Sequence, residues 1–133
     1  MFVILIIISV TSLQSQSKKA PALLLQIQEE YEDIHDIVHD PLFGLKSWME
    51  FQDEVDQLIN LWEIYKCNYE ADIIPDYQNL DIGKHKFICI RLEECLDDFL
   101  RSLETGFQPN FAFPCDTLGK SISELIKLFV EKD

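Results

Sequence analysis

Two histidines four residues apart are the first groups in the chain that could do chemistry. His35 and His39 share one face if this part of the chain is helical, and Glu32 and Asp36 lie beside them. One such turn offers a metal ion two imidazoles and a carboxylate. Glu32-x-x-His35 also matches half of a di-iron bundle motif, but the remaining histidine, His85, supplies no second half. An exposed helix face explains these residues better, so we predict no metal and no cofactor.

No combination of residues indicates an enzyme. The sequence lacks G-x-S-x-G, H-E-x-x-H and a glycine-rich phosphate loop. Carboxylates are so numerous that no single pair is informative, and the acidic segment from Glu70 to Asp81 lacks the spacing and central glycine of an EF-hand. The sequence therefore predicts a protein without catalytic residues.

Four cysteines, Cys67, Cys89, Cys95 and Cys115, are spaced by 22, 6 and 20 residues. An even number in a small secreted chain predicts two disulfides. Cys89 and Cys95 lie on one predicted helix, where six residues correspond to about 9 Å of rise, beyond the roughly 7 Å between Cα atoms that a disulfide spans. Each must therefore pair elsewhere, and we expect Cys67–Cys89 with Cys95–Cys115 rather than the crossed pairing.

The N-terminus resembles a secretory leader. Phe2 to Val10 form an unbroken apolar run of nine residues, too short for a membrane helix, which needs about 20 residues, and typical of a signal peptide. A buried strand is the alternative. We predict a signal peptide over residues 1–17, cleaved between residues 12 and 17, and one secreted, extracellular domain over residues 18–133.

Composition and charge narrow the possible partners. The 133 residues are 47% hydrophobic and carry 24 acidic against 11 basic side chains, a net charge of −13. Such a chain can bury a core, but it lacks the basic face that nucleic acid requires. On the first predicted helix, Glu29, Asp33, Asp36 and Asp40 repeat opposite the apolar stripe. They predict either a contact for a basic partner or a solvated face that keeps the protein soluble.

Four segments, roughly residues 21–38, 47–68, 83–104 and 117–131, repeat apolar residues as amphipathic helices do. Their stripes are Leu24, Ile27, Tyr31, Ile34 and Val38; Trp48, Phe51, Val55, Leu58, Trp62 and Tyr65; Ile88, Leu92, Cys95, Phe99 and Leu103; and Leu118, Ile122, Leu125 and Phe129. The pattern predicts an all-α, disulfide-stabilised four-helix bundle. Up-down-up-down is the simplest order, and a crossover connection is the alternative.

Local signals predict where the helices begin and end. Ser47 and Glu50 form a capping box for the second helix, and Ser121 and Glu124 offer one for a late start of the fourth. Gly106 follows the third helix, where a left-handed cap is usual.

Apolar residues remain beyond what the stripes use. Leu61 and Ile64 lie off the second stripe, and they form either a protein-contact patch or a surface covered by the loop after them. Phe107, Phe111 and Phe113 fall within one short stretch. They are expected either to plug the end of the bundle, to line a pocket for a small apolar ligand, or to contact a protein.

A leader, four helices and two disulfides make a plan similar to that of short-chain four-helix cytokines. The similarity is one of architecture, so no family residue is carried over. We therefore predict a secreted helical protein that binds another protein, a cytokine-like ligand or secreted effector whose partner or receptor presents a basic surface. The alternative is an extracellular carrier of a small hydrophobic ligand.

Overall fold

The computed structural model describes residues 21–70 and 80–130, and within these ranges the chain is helical with no strand. The four helices are α1 (Ala22–Val38), α2 (Leu45–Tyr65), α3 (Ile82–Leu103) and α4 (Ala112–Val130). A π-helical turn, Lys66–Glu70, extends α2, and a 3-10 turn, Gln108–Phe111, precedes α4. The all-α, four-helix prediction is confirmed. The predicted signal peptide lies outside the described residues, and none of the described helices is long and apolar enough to span a bilayer.

Contacts between helix ends define the topology. Phe51 at the start of α2 lies 6.1 Å from Phe99 at the end of α3, measured between ring centroids. At the other end, the Tyr65 hydroxyl and His85 Nε2 are 2.7 Å apart, so α2 and α3 are antiparallel. α4 packs against both α3 and α1. The four helices therefore run up-down-up-down, the simplest order that the sequence allowed.

The core consists of the predicted stripes. Every stripe residue is buried except Tyr31, Trp48 and Leu103, which are partly buried and pack against the core. The two short connections, residues 39–44 and 104–111, meet at one end of the bundle, here named the loop end. Phe111 stacks on Phe51 there, with centroids 5.9 Å apart and planes 7° from parallel.

Two helix starts differ from the prediction. Helix α2 begins at Leu45 with Gly44 as the N-cap residue, so Ser47 is in the first turn and does not cap it. Helix α4 begins at Ala112, because Pro114 falls in the first turn, where a missing N–H costs no hydrogen bond. Ser121 is consequently buried inside α4 and forms no capping box. Gly106 has φ +66°, as expected for the residue that follows α3.

The predicted disulfides are not formed. All four cysteines lie in the described ranges, and no bond joins any two of their sulfurs. Cys95 Sγ lies 3.4 Å from Ser121 Oγ, and Cys115 is six residues away on α4, about 9 Å along the axis. The pairing Cys95–Cys115 was therefore wrong. Cys67–Cys89 is also absent: no disulfide joins the exposed Cys67 to the buried Cys89.

Candidate functional site

Two histidines of α1 and one carboxylate of α4 converge near the loop end. Asp116 Oδ1 lies 3.4 Å from His35 Nε2 and 3.2 Å from His39 Nε2. One donor atom from each of the three residues lies within 4.8 Å of the others. The imidazole centroids are 4.3 Å apart. We name these three residues the His-His-Asp cluster.

Three contacts hold α1 against α4 beside this cluster. The Tyr31 hydroxyl donates to the carbonyl oxygen of Cys115 over 3.0 Å. Gly119 carries no side chain, and a β-carbon there would overlap the ring of Tyr31. The Gln108 side-chain amide donates to the carbonyl oxygens of Val38 and Asp40, at 2.6 and 2.9 Å. The Val38 carbonyl is at the end of α1, where carbonyls have no partner within the helix. The Asp40 carbonyl also accepts from the Phe43 backbone N–H.

The cluster differs from the metal-ligand set considered in the sequence. Both histidines take part, but the carboxylate that joins them is Asp116 and not Glu32 or Asp36. Asp36 Oδ1 is 3.9 Å from His35 Nδ1, an ion-pair distance to the ring nitrogen that faces away from Asp116. Asp116 was missed because it lies 77 residues beyond His39. An antiparallel pairing of the first and last helices would have placed it there.

The predicted acidic face lies on the outside of α1. Glu29, Asp33 and Asp36 are exposed, and Asp40 is partly buried. Asp40 Oδ1 accepts from the Leu42 backbone N–H over 2.8 Å. Three of the four carboxylates are therefore available to a partner, whereas Asp40 also stabilises the turn after α1.

A second group of carboxylates lies between α1 and α2. Oxygens of Glu30, Asp33 and Glu54 lie within 4.8 Å of one another. Burial raises the pKa of Glu30 to about 7, with further contributions from the hydrogen bond to Glu54 and from nearby carboxylate charges. A protonated Glu30 carries no negative charge, which reduces the repulsion among the three side chains.

Leu61 and Ile64 do not behave alike. Leu61 packs against the core, whereas Ile64 is exposed. The loop residues predicted to cover them, Ile73, Ile74 and Tyr77, lie outside the described residues. Of the two, only Ile64 is available as a contact.

The three phenylalanines near α4 are divided between core and surface. Phe111 is fully buried, whereas Phe107 and Phe113 are 58% and 79% exposed. Phe111 thus has the position at the end of the bundle that one interpretation of the sequence gave to all three. The other two are at the surface, so Phe111 alone of the three lies in the core.

Large apolar side chains are exposed around the loop end. Leu42 is 85% and Met49 64% exposed, and Phe107 and Phe113 complete the set. These four residues form what we name the apolar rim. The two connections, which carry Leu42 and Phe107 of the rim, are joined by the Gln108 hydrogen bonds and by the ring contact of Phe43 with Phe111. Phe43, Trp48 and Gly106 line an open groove between them.

The third histidine, His85, belongs to the core of the bundle and not to its surface. His85 is buried in the core near the opposite end of the bundle from the rim. Its Nε2 is 2.7 Å from the Tyr65 hydroxyl and 3.7 Å from Cys89 Sγ. Burial lowers the pKa of His85, so the neutral imidazole is the form that packs here.

No family model matches the chain, and neither a curated protein nor a solved structure is significantly similar to it. Function must therefore be argued from the surface chemistry just described.

Proposed function

We propose that the protein is secreted and acts by binding another protein through the loop end of the bundle. The observation that carries this proposal is the apolar rim of Leu42, Met49, Phe107 and Phe113, all more than half exposed. Where exposed apolar side chains of this size adjoin, they mark contact sites on soluble monomers. Aromatic and methionine side chains are also the types enriched at the centres of protein interfaces.

Charge defines the kind of partner. Helix α1 contains no lysine or arginine, and its exposed carboxylates run along its outer face toward the rim. Asp116 is exposed near the start of α4, beyond Phe113. A partner that suits this surface presents an apolar patch bordered by lysines and arginines. Such complementarity speeds encounter and makes the association rate depend on salt.

Secretion is the second part of the proposal, and it rests on the apolar run from Phe2 to Val10. Expression of the full chain in eukaryotic cells tests it directly. We expect the protein in the medium, with a mass that has lost the leader somewhere between residues 12 and 17. Retention of the uncleaved chain inside the cell would contradict this part.

Binding to intact cells of the source species tests the protein-binding part. The full chain, labelled and purified, is titrated onto cells with and without trypsin treatment. We expect saturable binding that trypsin abolishes. Phe113→Ser and Leu42→Ser should weaken it at least tenfold, because each removes a large apolar group from the rim. Ile90→Ser is the matched control, since Ile90 is 49% exposed on α3 away from the loop end.

Three other results would contradict the proposed binding surface or the proposed kind of partner. Binding that survives trypsin would indicate lipid or glycan instead of protein. Equal losses of binding affinity with Phe113→Ser and Ile90→Ser would show that the apolar rim is not the contact surface. Native-state uptake of a lipophilic dye would favour the carrier alternative.

A further inference from the structure

We infer that His35, His39 and Asp116 form a binding site for a divalent transition-metal ion of the zinc type. The sequence alone led us to predict no metal, because two histidines on one helix turn are usually an exposed face. The structure adds the third donor from another helix. The inference does not depend on the proposed function.

The distances between the donor atoms match those of a zinc site. Ligands bound tetrahedrally at about 2.0–2.1 Å from Zn²⁺ lie about 3.3 Å from one another. The two distances from Asp116 Oδ1 to the imidazole Nε2 atoms are 3.2 and 3.4 Å. The donor atoms therefore already have the separation of two edges of a zinc coordination tetrahedron.

The chemical types of the three donor atoms also favour a transition metal. Two imidazole nitrogens and one carboxylate oxygen suit zinc, cobalt, nickel and copper, whereas calcium and magnesium require mostly oxygen ligands. Three protein ligands leave one coordination position for water or another group. All three side chains are 40–50% exposed, so an ion can reach them from solvent and the remaining position faces outward.

The fold holds the three side chains close together before any metal binds. His35 and His39 are separated by one turn of α1, which fixes their spacing. Asp116 is set against them by the Tyr31 bond to Cys115, one residue before it. The entropy cost of bringing the two helices together is incurred when the protein folds, not when a metal binds. A metal ion need only displace the hydrogen bonds that Asp116 makes. Asp36, 3.9 Å from the other nitrogen of His35, lies where outer carboxylates commonly orient histidine ligands.

The other carboxylate group, Glu30, Asp33 and Glu54, is not an equivalent candidate. It offers oxygen ligands only. The raised pKa of Glu30 also means that this carboxyl tends to hold a proton where a metal ion would bind. The His-His-Asp cluster is thus the site in the described part of the chain whose donors match a transition metal.

Titration of the full chain with Zn²⁺ by calorimetry, and with Co²⁺ by absorption spectroscopy, tests the inference. We expect one ion per chain. Asp116→Asn and His39→Gln should each weaken binding at least about 100-fold, since loss of even an outer-sphere partner costs 10- to 100-fold. Glu32→Gln is the matched control, because it removes the neighbouring carboxylate that the sequence considered, and it should leave affinity unchanged.

Cysteine is the competing ligand, and cobalt distinguishes it. Thiolate ligands give Co²⁺ an intense near-ultraviolet charge-transfer band, which nitrogen and oxygen ligands do not. We expect that band to be absent, and Cys67→Ser to bind as the unmodified chain does. A thiolate band, binding that Asp116→Asn leaves intact, or no binding at millimolar metal would each overturn the inference. Far-ultraviolet circular dichroism of the metal-free variants shows whether a loss reflects the ligand or the fold.

Discussion

The ring of Tyr31 on α1 lies where a β-carbon at position 119 of α4 would be. Glycine at this position therefore allows the two helices to approach, and the Tyr31 hydroxyl can donate to the Cys115 carbonyl over 3.0 Å. The same approach brings His35 and His39 within reach of Asp116. One residue without a side chain thus sets the spacing on which the candidate metal site depends.

Gly119→Ala should destabilise the protein although alanine is the better helix former. Alanine gains up to about 1 kcal/mol in helix propensity, but the added carbon must displace the Tyr31 ring, and overpacking costs about 1–3 kcal/mol. Loss of the Tyr31 hydrogen bond adds about 1 kcal/mol. We expect a net loss of about 1–3 kcal/mol in the free energy of unfolding, measured by urea denaturation, together with weaker Zn²⁺ binding.

Gly83→Ala is the control for this comparison. Position 83 is in the first turn of α3, and a β-carbon there would make only an ordinary contact of 3.5 Å with Asp81 Oδ1. It should be neutral or stabilising. If Gly119→Ala behaved as Gly83→Ala does, the close approach of α1 and α4 would not limit the packing at this point.

The sequence predicted the helices and their buried faces because apolar periodicity reflects burial directly. The sequence-based predictions failed where the structure depends on residues that are far apart in the chain. Asp116 appeared as one of many acids until α4 was placed beside α1, and Ser121 resembled a cap until Pro114 was found inside the helix. The disulfide prediction came from an even count of cysteines and assumed an alignment of α3 and α4 that the contact of Cys95 with Ser121 excludes.

Glu30→Gln should stabilise the protein at neutral and alkaline pH. The pKa of Glu30 is raised from 4.5 to about 7 in the folded protein. Between these values the folded state binds more protons than the unfolded state, so stability falls as the pH rises through this window. Glutamine can replace the protonated form. We expect the variant to have a free energy of unfolding higher by an amount on the order of 1 kcal/mol at pH 8. This difference should disappear near pH 4.5.

Thermal unfolding at several pH values measures this effect. Glu29→Gln is its control, because Glu29 is exposed on the outer face of α1 and its substitution should produce no comparable trend. A difference between Glu30→Gln and the unmodified protein that stays constant from pH 4.5 to 8 would show that Glu30 is not protonated in the folded state.

His85 should make the protein lose stability in acid. Burial lowers its pKa below 6.5 in the folded state, so the unfolded chain binds more protons as the pH falls. The contribution of neutral His85 to the free energy of unfolding is fully present above pH 6.5 and is lost as the pH falls below that value. It amounts to about 1.4 kcal/mol for each unit by which the pKa of His85 is lowered. His85→Gln keeps an acceptor for Tyr65 without a titrating group. The variant should therefore lose less stability than the unmodified protein between pH 7 and 5, and parallel curves would contradict the prediction.

Thiol reactivity should separate Cys67 from Cys115. Cys67 is exposed, and Cys115 is buried. Burial raises the pKa of Cys115 to about 12, so at pH 8 its thiolate fraction is about 10³-fold smaller than that of an ordinary cysteine with a pKa of about 8.5. Iodoacetamide should modify Cys67 within minutes and Cys115 only after unfolding, as peptide mass spectrometry can show. Rapid modification of Cys115 in the folded protein would mean that α4 is not packed on Tyr31. A folded protein without accessible thiol, lighter by two hydrogens for each bond, would instead mean that disulfides form.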